Sequence, residues 1–248
     1  MYKRQVLIGC AHGTRFRGGR DVIRNLLVMA AELVDAPVRE SFVDIQAPAI
    51  EDAVAAHAGP SDATRLDVPV SAVVVPVLVR AEKEDADNGA AFIRRLFTLT
   101  LTLMTVVTVV AVATAPLGPD ERLATVMVER LREAGLSEGD TVVMAAAGTS
   151  DPDGVAMVEQ MRDLLAGALE TEVGLGYVAA SAPDVATVVR QARQAGAERV
   201  VVASYMLAPG HFQKKLEASG ADVVARPLGT HPLVAEVIAD RYRAAVGD

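Results

Sequence analysis

A histidine followed closely by three arginines is the part of this sequence best equipped for chemistry. Ala11-His12-Gly13-Thr14 closes an apolar run, and Arg15, Arg17 and Arg20 follow, with Gly18 and Gly19 between them. An imidazole titrating at about 6.5 binds a first-row metal or accepts a proton near neutral pH. Guanidinium forks hold carboxylate or phosphate groups, and glycines let a ligand approach the backbone. The plainer alternative is a structural histidine beside solvated arginines. Its place at the end of a strand-like segment, together with the basic residues, favours a functional reading.

Other candidates are weaker. Glu82, Glu84, Asp85 and Asp87 form an acidic run; such runs are mostly solvated surface, but this one falls in a loop where it could help guide a metal. His211, in Ala208-Pro209-Gly210-His211, is read either as a cleft residue or as a partial cap at a helix start. His231 before Pro232 reads as structural, and His57 beside Gly59-Pro60 as a solvent-facing helix end. Thr149-Ser150-Asp151 has the composition of a helix cap, and no following histidine activates its serine. No HExxH, CxxC, Walker A or GxGxxG pattern is present, which removes zinc proteases, thiol oxidoreductases and standard nucleotide enzymes.

The elements that position these residues repeat. Residues 6–14 resemble 142–149, residues 42–48 resemble 177–183, residues 73–79 match 201–207 in character, and residues 116–124 match 227–235. His12 thereby aligns with Ala147, so the fold itself does not demand a histidine there, and Lys83 aligns with His211. Two halves follow, 1–136 and 137–248. Strands are expected at about 5–11, 38–44, 72–79 and 106–113, then 141–147, 172–179, 199–207 and 222–226. Helices are expected at about 20–34, 49–57 and 120–134, then 155–169, 184–195 and 232–245. Strands alternating with helices of this length imply parallel sheets covered on both faces, with ligands beyond the carboxyl ends of the strands. The halves differ most after Val79, where the first is the longer.

Composition narrows the class. The chain has 248 residues, 51% hydrophobic, with a net charge of −8, enough for a large domain or two small ones. The acidic balance argues against nucleic acid and anionic membranes as partners. A single cysteine, Cys10, excludes an internal disulfide framework and fits a reducing cytoplasm, as does the lack of a signal-peptide pattern at the start. Residues 96–115 carry no charge and are long enough to span a bilayer. Their many threonines and the alternation at 99–103 instead read as strand, so no membrane partner is expected.

In this order, Ala-His-Gly-Thr-Arg at 11–15, residues 42–48, Pro-Leu-Gly-Pro-Asp at 116–120, residues 145–151 and residues 203–210 resemble the two-domain sirohydrochlorin chelatases of actinomycete type. The resemblance covers nearly the whole chain except about 80–105. It implies two flavodoxin-like (chelatase-like) α/β domains facing a central cleft. The activity implied is insertion of Fe2+ or Co2+ into sirohydrochlorin, a tetrapyrrole, for siroheme or cobalamin synthesis. The metal is a substrate, Ni2+ uses similar ligands, and no organic cofactor is required. The residue matched by His12 would bind the metal and help remove pyrrole protons, with Arg15, Arg17 and Arg20 as carboxylate anchors. The family's second histidine, in a Gly-Tyr-His-Val motif, is missing; the position falls at about Glu84. Three readings stand open. Glu84 replaces it, His211 supplies an imidazole from the facing half, or the protein is a weakened, non-catalytic tetrapyrrole- or metal-binding relative. Phosphoryl transfer through His12 is a further alternative, weakened because Ala11 stands where phosphohistidine phosphatases carry arginine. A two-domain chain supplies both walls of a cleft by itself, so a monomer is expected.

Overall fold

The computed structural model describes residues 7–11, 17–34, 37–42 and 114–246. The elements, in chain order, are β1 (Leu7–Ala11), α1 (Arg17–Leu33), β2 (Val38–Phe42), α2 (Glu121–Glu133), β3 (Thr141–Ala146) and α3 (Pro152–Leu169). They continue with β4 (Val173–Tyr177), α4 (Val185–Gln194), β5 (Val200–Ser204), α5 (His211–Glu217), β6 (Val223–Val224) and α6 (Pro232–Val246). The expected strands at 72–79 and 106–113, the helix at 49–57, His57 and nearly all of the uncharged run lie outside the described residues.

β1 and β2 pair in parallel, Leu7 opposite Val38 through Ala11 opposite Phe42. The second sheet is parallel throughout, in the order β4-β3-β5-β6. Pleating sends alternate side chains to opposite faces. Val142, Met144, Val201 and Ala203 enter one core, while Val143, Ala145, Val200 and Val202 enter the other. All eight are buried, so these strands read as continuous apolar runs rather than as an alternating pattern. α2 and α3 cover the first face, and α4 with α5 the second. This is the α/β arrangement with helices on both faces that the sequence predicts.

Three details differ from expectation. α1 begins at Arg17, not near residue 20, so Arg17, Gly18, Gly19 and Arg20 form its first turn and not a glycine-rich loop. Glycine weakens a helix interior by about 1 kcal/mol, but here Gly19 is buried, where a larger residue would need room. α5 is an additional short helix. β6 is only two residues long.

The packing also crosses the sequence repeat. The repeat places α2 with the first half, yet Leu123, Ala124, Met127 and Leu131 of α2 share a core with β3, β5 and α3. α6 in turn packs on α1, where Ala239 and Tyr242 meet Ala30 and Val34. The last helix of each repeat therefore lies against the other one. Arginines hold this exchange. Arg122 pairs with both Asp120 (2.9 Å) and Asp240 (2.6 Å), Arg241 donates to the Pro116 and Leu117 carbonyls, and Arg243 reaches Asp240 and the Leu33 carbonyl.

Candidate functional site

The first turn of α1 meets the loop after β5. A Cβ on Gly18 would lie 3.4 Å from Pro209 Cγ, so the helix that follows His12 in sequence starts beside the loop that leads into His211. Arg17 is exposed and Arg20 half-buried. Neither has an ion pair among the described residues, and a guanidinium fork is suited to binding an anion.

The loop carrying His211 is held on all sides. The Tyr205 N–H donates to the Ala145 carbonyl, and Leu228 and Gly229 donate to the carbonyls of Met206 and Leu207. Under α5, Ser204 Oγ donates to Gln213 Oε1 (2.7 Å) and Gln213 Nε2 donates to the Ala225 carbonyl (3.1 Å). Ser204 and Gln213 are buried, so this pair fixes the inner face of α5 against the sheet. The first turn is left outward: His211 is exposed and Phe212 is 38% exposed. Their ring centroids are 6.2 Å apart with planes tilted by 49°. Gln213 is a positioning residue that the sequence did not reveal. A glutamine two residues after a candidate histidine carries no periodic or motif signal, and only burial makes it informative.

Beside this loop, Tyr205 packs on the turn entering α2. A Cβ on Gly118 would sit 2.0 Å from Tyr205 Oη, so the turn needs glycine. Burial, followed by the charge of Asp120, pushes the Tyr205 phenol above its ordinary pKa and keeps it neutral.

The second half's counterpart of the His12 loop is closed. Gly148 has φ +94°, and a Cβ there would fall 1.8 Å from the Ala179 carbonyl oxygen. Ser181 Oγ accepts from the Thr149 N–H (3.0 Å) and donates to the Thr149 carbonyl (2.6 Å), stitching the two loops together. Asp151 caps α3 by accepting from the Asp153 N–H (3.2 Å), which is the capping role its sequence predicts. His231 is structural as expected. Its Nδ1 accepts from the Leu233 N–H (3.2 Å), so Nε2 carries the proton and donates to Glu129 (3.0 Å).

Of the predicted site residues, His12, Arg15 and Glu84, with the rest of the acidic run, lie outside the described residues. The described ones are Arg17 and Arg20 in the first turn of α1 and His211 at the start of α5. Among the described residues no group of three or more His, Cys, Asp and Glu could hold a metal. No described helix is long and apolar enough to cross a membrane.

A parallel, doubly covered sheet with loops converging at its carboxyl edge defines the class: an α/β protein of the chelatase fold. SirB from Bacillus subtilis, solved with Fe3+, superposes with a TM-score of 0.70 over 98% of this chain and 95% of its own, at 19% identity. The sirohydrochlorin chelatase SirB from Bacillus subtilis subspecies spizizenii, in complex with cobalt, gives 0.65 over 98% and 96%, also at 19% identity. In sequence, the sirohydrochlorin ferrochelatase of Priestia megaterium is 25% identical over 98% of this chain and 90% of its own. Residues 141–245 match the CbiX family model. The family model thus covers the second half of the chain, and the full-length superpositions show that the chain has the chelatase fold.

Proposed function

We propose that this chain inserts Fe2+ or Co2+ into sirohydrochlorin, for siroheme or cobalamin synthesis. The observation that carries the reading is the approach of the first turn of α1 to the Pro209–His211 loop, in a chain whose relatives include a sirohydrochlorin ferrochelatase. Insertion exchanges two pyrrole N–H protons for one divalent metal, so the site needs a base and a metal position weak enough to release its ion. His12 takes both roles. Arg15, Arg17 and Arg20 hold carboxylates of the polyanionic macrocycle, an anchor that an acidic protein must provide locally. Glu84 or His211 completes the metal position, since carboxylate and imidazole bind the same first-row ions, Ni2+ among them.

The test is an anaerobic assay of sirohydrochlorin with Co2+ or Fe2+, followed by absorbance. His12→Ala is expected to lower the rate about 100-fold or more, the scale of a positioned acid–base group. Equal rates for the two proteins, neither above free metal, would sink the proposal. A second reading, a tetrapyrrole-binding relative without turnover, is favoured by Glu84 standing where the family's second histidine is expected. Binding without metal insertion is its signature.

A further inference from the structure

Phe212 is an unusual residue to leave in water. Among the described residues it is one of three exposed large hydrophobic side chains, with Val28 and Leu33. Those two lie toward the far end of α1, whereas Phe212 stands in the first turn of the helix after β5, on the carboxyl edge where such sheets bind ligands. Its neighbours in the chain are His211, Gln213, Lys214 and Lys215, so the local sequence is otherwise polar. The repeat adds a second observation. Lys83-Glu84 aligns with His211-Phe212, which puts an aromatic ring at the register where the first half carries a carboxylate. The buried Ser204–Gln213–Ala225 chain holds this turn in place, and Pro209, three residues before Phe212, meets the first turn of α1, where a Cβ on Gly18 would lie 3.4 Å from Pro209 Cγ.

We propose that Phe212 is a substrate-contacting residue: its ring stacks, offset, on the face of the tetrapyrrole while the arginines of α1 hold the carboxylates. The first half then handles the metal and protons, and the second supplies the apolar wall that orients the macrocycle. A planar π-system on an aromatic ring gains both area burial and quadrupole complementarity. The inference rests on the chelatase reading.

The experiment is a fluorescence titration of the full-length protein with metal-free sirohydrochlorin. Phe212→Ala is expected to bind about tenfold more weakly than wild type and to raise KM for sirohydrochlorin by a similar factor. Phe212→Tyr should stay within about twofold, and Phe212→Leu should lie between. Wild-type affinity in Phe212→Ala overturns the proposal and leaves the chelatase reading standing; failure of wild type to bind sirohydrochlorin overturns both. If Phe212→Ala loses its melting transition, the other two variants decide. Affinity kept by Tyr and weaker in Leu supports stacking, and equal affinities overturn it.

Discussion

Single atoms decide two glycines near the candidate site. At Gly118 the obstacle is the tip of a side chain, Tyr205 Oη, 2.0 Å from a built Cβ. Gly118→Ala is expected to destabilise the protein by about 1–3 kcal/mol, the usual range for overpacking. Tyr205→Phe removes the offending oxygen and leaves the ring carbon at 3.3 Å, so the double variant should recover part of the loss. Urea denaturation of the four proteins gives the coupling directly; strict additivity would contradict the packing account. At Gly148 the obstacle is backbone, and φ is positive as well, so no side-chain change can relieve it. The contrast shows how far residues were legible in sequence. Asp151 as a cap and His231 as structural followed from local composition, because caps are made by near neighbours. Tyr205 against Gly118 and Gln213 beneath α5 join residues far apart in sequence or depend on burial, and no spacing rule reports either.

At the scale of elements, α2 is strapped to residues 226–231 by charge. Arg130 donates to the Leu228 carbonyl from Nε (3.2 Å) and Nη2 (2.8 Å), and both Arg130 and Arg226 bond Glu133 (3.0 and 2.7 Å). Arg226 first, and Arg130 after it, hold the Glu133 carboxyl at about 2 against an ordinary 4.5, with burial opposing them. A carboxylate with a depressed folded-state pKa stabilises fully above its unfolded value and loses that contribution as pH falls toward the folded one. The strap therefore weakens between about pH 4.5 and pH 2. Glu133→Gln is expected to flatten the fall of the urea midpoint in that window; an unchanged slope would mean the pair does not strengthen the fold. Element positions were mostly readable beforehand, since the apolar runs at β3 and β5 and the 3.6-residue pattern of α2 are strong local signals. α5 was not, because seven residues with two buried side chains, Gln213 and Leu216, barely establish a period. Nor was the sheet that α2 covers. Periodicity shows that a helix has an apolar face, and says nothing of which surface will meet it.

For the whole molecule, SirB shares this chain's fold over nearly its full length, and that fold is the α/β class read from the sequence. The repeat made that architecture visible because each half restates the other's order of strand, turn and helix. The region where the halves disagree, after Val79, also holds Glu84, so the assignment of the metal ligand has no second copy to lean on.

The exchange of α2 and α6 has a consequence for anyone who cuts the polypeptide. A peptide ending at residue 136 carries Leu123, Met127 and Leu131 of α2 without the sheet that buries them, and its complement carries an α6 without α1. Each such large side chain forfeits about 1.5–3 kcal/mol when returned to water. Fragments 1–136 and 137–248 produced separately are expected to aggregate. Produced together, they should assemble into a soluble heterodimer whose melting temperature is below that of the intact chain, measurable by co-purification on a tag carried by one piece. Two pieces that each fold alone would show that the crossed helices are dispensable. Assembly only in company would mean that the two copies of the repeat have become a single inheritance, neither able to drift in its helix face without the other.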